Sequence, residues 1–237
     1  MQSQNTKSQR DVQVLSSQWR TPTVLRVGDG RGFVVMSRHY LGGEEPIIIT
    51  AAHCLPHLPP PHPGRYIEEE TYERLLAPLG SEAAVWATCL FVDPVADIAA
   101  LGPPDSQELY EQWDAYHRLL DETEPWTVAD APAQGFELAN SIRPDLQIKY
   151  PTPGEGPARV LSVTGDWLEG CVERRGCRLA FKPESHFVGG MSGSPIVSNG
   201  QAIGVVSVDL LSPVLMDTLA PWLVRSILSA QAEQETP

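Results

Sequence analysis

The stretch Gly189-Gly190-Met191-Ser192-Gly193-Ser194-Pro195 places one serine, Ser192, among three glycines. Glycine lets the backbone turn sharply, so the N–H groups of Gly190 and Ser192 can point at one spot. A serine nucleophile needs such a pair of donors to stabilise the oxyanion that forms during acyl transfer. Taken alone, the stretch is equally compatible with an ordinary glycine-rich turn.

Two upstream stretches supply the other groups that serine chemistry requires. Thr50-Ala51-Ala52-His53-Cys54 presents a histidine directly after an apolar run, and Asp97-Ile98-Ala99-Ala100-Leu101 presents a carboxylate. A base that accepts the hydroxyl proton and a carboxylate that holds this base complete the set. The order along the chain is histidine, aspartate, serine.

Together, these three stretches resemble the trypsin-like serine peptidases, over about residues 21–228. The resemblance implies an all-β fold of two six-stranded antiparallel β-barrels, with a linker helix and a C-terminal helix. It also implies a serine endopeptidase that forms an acyl-enzyme on Ser192. His53 would be the general base and acid, Asp97 would orient it, and the N–H groups of Gly190 and Ser192 would form the oxyanion hole.

Two other residues compete for these roles. Asp93 is a second carboxylate near Asp97, but Asp93-Pro94 is typical of a turn. Ser194 is a second serine, but the family pattern places it two residues beyond the active one. We therefore retain Asp97 and Ser192.

The chain departs from digestive trypsins at two positions. In secreted relatives the cysteine after the histidine pairs with one on the preceding strand, and residues 35–46 contain none, so we expect Cys54 to be a buried, unpaired thiol. Met191 stands where digestive members carry an aspartate that binds a newly cut N-terminus, and we expect it to pack among apolar neighbours. Met191 and the Gly-Ser-Pro ending resemble bacterial glutamyl endopeptidases and high-temperature-requirement proteases.

The resemblance also indicates a specificity pocket. His186, six residues before Ser192, is expected at its base, and Ser207 matches the strand that binds the substrate backbone, with Val208 and Asp209 following. An acidic Asp209 favours a basic substrate side chain, whereas a histidine at the base differs from a standard trypsin. The preferred substrate residue is left open.

Composition narrows the class of partner. With 17 basic and 30 acidic side chains the formal net charge is −13, so phosphate backbones are repelled and we expect no nucleic acid partner. We expect a protein or peptide substrate, leave a regulatory protein partner open, and expect no cofactor and no metal. The 22 prolines and 19 glycines indicate many turns, as in an all-β chain.

Residues 1–20 are polar and contain no apolar core of a secretory signal. No apolar run approaches the ~18 residues that cross a bilayer. We therefore expect no membrane partner and a cytoplasmic protein, or a secreted one if a leader precedes this sequence.

Local patterns predict the organisation of the chain. A hairpin turn is predicted at Gly28-Asp29-Gly30-Arg31, and a short acidic helix within residues 66–79. A further hairpin would let Cys171 and Cys177 face each other; a disulfide between them is left open, and two reduced thiols are favoured. An apolar stripe predicts a helix over residues 106–121, packed between the two barrels. The predicted divisions are a polar segment (1–20), a first barrel carrying His53 and Asp97 (21–103), a linker with its helix (104–125), a second barrel carrying Ser192 (126–219), and a C-terminal helix and tail (220–237).

Two alternatives are weighed against the peptidase. His53, Cys54, His57 and His62 cluster within ten residues and are residue types that bind zinc, but the cluster lacks a matched second half. A catalytically silent trypsin-like scaffold that acts as a protein-binding module is the other alternative. Such scaffolds usually lose a member of the triad, and this sequence retains all three.

Overall fold

The computed structural model of the protein describes residues 24–38, 43–60, 70–128, 156–184, 189–208 and 211–234, with side chains described up to residue 227 in the last range. Within these residues the chain is mostly β-strand. No described helix is long and apolar enough to span a membrane.

Six antiparallel strands form a closed first barrel. The hairpin turn predicted at Gly28-Asp29-Gly30-Arg31 is present, since Gly28 and Asp29 join the first two strands and Val27 is paired with Gly30. The barrel closes where the first strand pairs with the fourth, in the order β1-β2-β3-β6-β5-β4. The strands are β1 (Val24–Val27), β2 (Gly30–Arg38), β3 (Glu44–Thr50), β4 (Thr71–Pro78), β5 (Val85–Asp93) and β6 (Ile98–Gly102).

The second group of six strands lies in the order β11-β10-β7-β8-β9-β12. An antiparallel bridge between Gly204 and Val214 links its two edges and closes it into a second barrel. The predicted fold, two six-stranded antiparallel barrels of the trypsin-like type, is therefore confirmed. These strands are β7 (Gly156–Leu161), β8 (Trp167–Arg175), β9 (Arg178–Pro183), β10 (Pro195–Ser198), β11 (Gln201–Val205) and β12 (Leu211–Pro213).

The linker helix spans Tyr110–Asp121 and begins four residues later than predicted. The delay arises at Leu109, whose backbone is not helical (φ −127°, ψ 45°). The Asp105 carboxylate accepts the Gln107 N–H in a separate turn that precedes the helix. The buried Tyr116 hydroxyl donates to the Pro46 carbonyl oxygen at 3.0 Å, and the helix packs on β5. It covers the first barrel rather than filling the space between the two barrels.

The acidic helix predicted within residues 66–79 is wrong, because this segment contains strand β4. Glutamates and leucines favour a helix locally, but Leu76 pairs with both Val27 of β1 and Val85 of β5. Closing the barrel and burying Tyr72, Leu75 and Leu76 outweigh the local propensity. Residues 61–69, part of the same prediction, lie outside the described residues.

The predicted hairpin around residues 171–177 is present as β8 and β9, but its two cysteines do not face each other. Cys171 is paired with Lys182 across the hairpin, and Cys177 lies in the turn between Arg175 and Arg178. Both cysteines are exposed.

The barrels share a continuous apolar core. Val197, Ala202 and Val205 of the second barrel belong to the same buried cluster as the strands of the first. The short helix Leu215–Thr218 and the C-terminal helix Pro221–Gln234 extend this cluster, and the C-terminal helix packs against β2.

Candidate active site

Each of the three candidate catalytic residues sits at the end of a strand. His53 lies in a short 3₁₀ helix, Ala52–Cys54, that directly follows the apolar β3. Asp97 lies in the turn between β5 and β6, and Ser192 lies in the turn before β10. The first two belong to the first barrel and the third to the second.

His53 and Asp97 form a two-point contact. The His53 Nδ1–H donates to Asp97 Oδ2 at 2.8 Å, and the His53 backbone N–H donates to Asp97 Oδ1 at 3.0 Å. The imidazole is 38% exposed and the carboxylate 13% exposed. The carboxylate thus fixes both the ring and its backbone, which leaves Nε2 for chemistry.

Asp97 has a third partner, the hydroxyl of Ser207 from the second barrel, which donates to Oδ2. The match of Ser207 to the strand that binds the substrate backbone stays a prediction, and its buried side chain is directed at Asp97. A signal for this role was available: Ser207 is a polar residue at the end of the apolar run Ala202-Ile203-Gly204-Val205-Val206, where a buried hydroxyl requires a partner.

Ser192 occupies the corner of a tight turn. The Ser194 N–H donates to the Met191 carbonyl oxygen at 3.0 Å, and Gly193 has φ +84°, the pattern of a type II turn. Ser192 itself is half-buried. Met191 is buried in the apolar cluster of the second barrel, as predicted.

The nucleophile turn presses against the first barrel. The Arg31 backbone N–H donates to the Ser192 carbonyl oxygen at 2.8 Å. A Cβ atom at Gly193 would lie 1.8 Å from the Arg31 carbonyl oxygen and 2.8 Å from Thr50 Oγ1. Only glycine permits this approach, which brings Ser192 to the end of β3, where His53 begins.

The two predicted oxyanion donors, the Gly190 N–H and the Ser192 N–H, lie on either side of Met191. Among the described residues, neither the Gly190 N–H nor the Ser192 N–H donates a hydrogen bond. Gly190 is exposed with φ +88°, and Met191 anchors the backbone between the two donors. That these two N–H groups form an oxyanion hole stays a prediction.

Among the hydrogen bonds of the described residues, there is none between His53 Nε2 and Ser192 Oγ. Backbone packing brings their segments together instead. A Cβ atom at Gly30 would lie 2.3 Å from Cys54 Sγ and 2.9 Å from the Ser192 carbonyl oxygen. Gly30 thus separates the residue after His53 from the nucleophile turn.

Cys54 is a free, buried thiol, as predicted. The residue that faces Cys54 is Gly30 at the start of β2, and glycine leaves the thiol without a sulfur opposite it. Cys54 is 4% exposed, and this burial raises the pKa of its thiol.

A buried arginine crosses the barrel interface beneath this site. Arg31 Nη1 donates to the carbonyl oxygens of Leu161 and Ser162 in the second barrel, each at 2.9 Å. Burial lowers the pKa of its guanidinium. Sequence reasoning missed this residue, because a single arginine in a turn-rich stretch carries no sign of a partner 130 residues away.

The remaining pocket predictions fall mostly beyond the described residues. His186 and Asp209 lie outside them. Val208 is described and is 57% exposed. The geometry of the specificity pocket therefore stays a prediction.

The competing carboxylate Asp93 holds a turn, as its sequence predicts. Its Oδ1 accepts the N–H groups of Val95 and Ala96, each at 2.9 Å. It does not contact His53, whose carboxylate partner is Asp97.

The cluster considered for zinc does not converge where it is described. His53 binds Asp97, and His57 Nε2 lies 3.2 Å from Glu70 Oε1. His62 lies outside the described residues. Among the described side chains, no three histidine, cysteine, aspartate or glutamate residues form a group that could hold a metal ion.

Comparison with known proteins finds similar solved structures but no matching family. No protein-family model matches this chain, and no curated protein matches it. Among solved structures, the inactive form of the Rv3671c protease is 17% identical with a TM-score of 0.41, covering 89% of each chain. A serine protease of human pathogenic astrovirus is 15% identical with a TM-score of 0.42, covering 84% of this chain and 90% of that chain.

A third solved structure comes from work on the intrinsically disordered VPg protein of Sesbania mosaic virus. It is 14% identical with a TM-score of 0.46, and the match covers 87% of this chain and 92% of that chain. At these identities and TM-scores, none of the three assigns an activity. The strand order of the chain's own two barrels defines its fold, which is the trypsin-like fold.

Proposed function

We propose that this protein is a serine endopeptidase that hydrolyses peptide bonds through an acyl-enzyme on Ser192. The observation that carries the proposal is the two-point contact of His53 with Asp97, which leaves Nε2 of a partly exposed imidazole for proton transfer. A histidine held in this way beside a glycine-flanked serine turn has the parts that acyl transfer needs.

In the proposed mechanism, Ser192 Oγ attacks the substrate carbonyl carbon while His53 Nε2 accepts the hydroxyl proton. Asp97 keeps the Nδ1 proton in place and stabilises the imidazolium. The negative oxygen of the tetrahedral intermediate accepts hydrogen bonds from the Gly190 and Ser192 N–H groups. His53 then gives its proton to the leaving amine, and an ester remains on Ser192.

Hydrolysis repeats the same steps with water. His53 accepts a proton from the water that attacks the ester carbonyl, and returns it to Ser192 Oγ as the acid product leaves. The hydrogen bond between His53 and Ser192 forms when substrate arrives, since catalytic hydrogen bonds are often long or unformed without substrate.

Met191 bears on activation and on the type of peptidase. A buried charge must be paired, so activation by a newly cut N-terminal ammonium needs an acid beside the nucleophile. Met191 is uncharged and 1% exposed. The proposed enzyme is thus closer to the bacterial glutamyl endopeptidase or high-temperature-requirement type, with an oxyanion hole ordered without N-terminal cleavage.

The direct test is labelling with a fluorophosphonate probe, followed by mass spectrometry of the labelled peptide. We expect labelling at Ser192, none in Ser192→Ala, and wild-type labelling in the matched variant Ser194→Ala. Cleavage of a peptide library by the wild type then identifies the bond that is cut. A wild type that neither reacts with the probe nor cleaves any peptide would favour the silent scaffold.

A further inference from the structure

The backbone of Asp97 adopts a conformation that is uncommon for any residue other than glycine. Its φ is +62°, in the left-handed region that non-glycine residues seldom occupy. Such a conformation persists only where the surrounding structure holds it in place. The carboxylate contacts with His53 and Ser207 fix the side chain, but they do not fix the loop that leads into it.

The loop before Asp97 is held by side chains on both of its edges. Asp93 Oδ1 accepts the N–H groups of Val95 and Ala96. On the other edge, Arg178 Nη2 donates to the Val95 carbonyl oxygen at 2.5 Å and Arg178 Nη1 donates to the Ala96 carbonyl oxygen at 2.7 Å. All four polar backbone atoms of these two residues therefore bind a side chain.

Packing holds only one end of this loop, where Ala96 lies against the apolar core. Val95 is 85% exposed, so its side chain buries little apolar surface. Arg178 begins β9 of the second barrel, and its Nη1 also lies 3.4 Å from the Leu211 carbonyl oxygen of β12. One guanidinium thus joins the edge of the second barrel to the loop that carries Asp97.

We infer that Arg178 is a positioning residue that fixes the Asp97 carboxylate against His53 by tying the Val95–Ala96 carbonyls to the second barrel. Asp97 and His53 belong to the first barrel and Ser192 to the second, so this tie also sets the distance between the two parts of the triad. The effect on catalysis rests on the proposed function. The effect on the contact between His53 and Asp97 does not.

Arginine is suited to this task by its shape. Its planar guanidinium offers two Nη atoms in a rigid fork, which here meet two successive carbonyl oxygens. A lysine keeps the charge but offers a single nitrogen, so it can replace only part of the contact.

The test compares Arg178→Met with Arg178→Lys and with the control Arg175→Met. Arg175 pairs with Arg178 across the same hairpin through the backbone. Its side chain is 56% exposed and binds only Glu173 among the described residues, so its replacement removes the same charge without a contact to the loop. We expect Arg178→Met to lower kcat at least tenfold with KM within threefold. Arg178→Lys should recover part of kcat, and Arg175→Met should match the wild type.

A second readout does not need catalysis. The Nδ1 proton of His53 gives a low-field NMR signal while it is bound to Asp97, assigned by its absence in His53→Gln. We expect this signal to broaden or disappear in Arg178→Met and to persist in Arg175→Met. A sharp, unshifted signal in folded Arg178→Met would overturn the inference, and so would a kcat within twofold of that of Arg175→Met.

The two readouts separate the failure of the inference from that of the proposed function. If the wild type shows no peptidase activity, the proposed function fails and the NMR comparison still decides the role of Arg178. If Arg178→Met does not fold, Arg178→Lys carries the test, because it keeps the stem and charge but loses one carbonyl contact. A wild-type kcat and NMR signal in Arg178→Lys would then overturn the inference.

Discussion

At the scale of single residues, the site depends on the hydrogen bonds that the partly buried Asp97 carboxylate accepts. Asp97 accepts hydrogen bonds from the His53 ring, the His53 backbone and the Ser207 hydroxyl. Removing a carboxylate from water is costly unless its oxygens are hydrogen-bonded, and these three donors supply those bonds. Because two of the donors are on His53, the contacts that stabilise Asp97 also orient the proposed base.

The first prediction follows from the proposed roles of the triad. Ser192→Ala and His53→Ala should each lower kcat about a million-fold, and Asp97→Asn about ten-thousand-fold. The double variant of Ser192 and His53 should be hardly worse than either single one, because the two residues act as a unit. Turnover of a peptide substrate measures these effects, and near wild-type cleavage by Ser192→Ala would refute the assignment.

The second prediction concerns the thiol of Cys54. Burial raises its pKa, so at neutral pH the thiol stays protonated and reacts slowly, since the thiolate is the reactive form. The exposed Cys171 and Cys177 serve as internal controls. In the native protein at neutral pH, iodoacetamide should modify these two well before Cys54, as followed by mass spectrometry. Modification of Cys54 at the same rate would contradict the burial of its side chain.

At the scale of elements, the nucleophile turn is shaped by contact with its neighbour. The Met191–Ser194 hydrogen bond needs a positive φ at Gly193, and the first barrel leaves no space for a side chain there. Both conditions require glycine at this position, so the turn that presents Ser192 is also a place where the two barrels are in close contact.

The third prediction tests this turn. Gly193→Ala should lower the free energy of unfolding by about 2–4 kcal/mol, through a disfavoured φ and a clash with the Arg31 carbonyl oxygen. Denaturant unfolding measures the loss. Gly189→Ala is the matched control, because a Cβ atom there meets nothing within 4 Å. Equal stability of the two variants would show that the turn can move away from the first barrel.

At the scale of the whole molecule, two arginines cross between the barrels in opposite directions. Arg31 reaches from the first barrel to the Leu161 and Ser162 carbonyls, and Arg178 reaches from the second barrel to the Asp97 loop. Neither guanidinium has a carboxylate partner among the described residues, so both bind through carbonyl dipoles. These ties complement the apolar core that the barrels share.

The fourth prediction concerns the hydrogen bonds from buried Arg31 to the second barrel. Arg31→Met keeps most of the side-chain volume but leaves two carbonyls without their charged donor, so the free energy of unfolding should fall by about 2–3 kcal/mol. Arg118→Met is the control, since Arg118 is 70% exposed and its pair with Asp114 contributes little. Chemical denaturation of both variants checks this. A loss in Arg31→Met no larger than in Arg118→Met would mean that Arg31 does not join the barrels.

The sequence by itself was sufficient for the features that depend on near neighbours. Glycine and aspartate at residues 28–29 specify the first hairpin, and the glycines around Ser192 specify its turn. The apolar run of β3 leads directly into the segment that contains His53. The two-barrel fold was implied by the family resemblance that the three motifs carry. Turn chemistry and strand periodicity act over a few residues, so they can be read without knowing the rest of the chain.

Tertiary structure alone decided the features that depend on barrel closure. It made residues 71–78 a strand, set Gly30 opposite Cys54, and directed the Ser207 hydroxyl at Asp97, 110 residues away. It also brought Arg178 to the Ala96 carbonyl across 82 residues. No local pattern encodes such partners, because a side chain meets a distant backbone atom only after both barrels have closed and packed together.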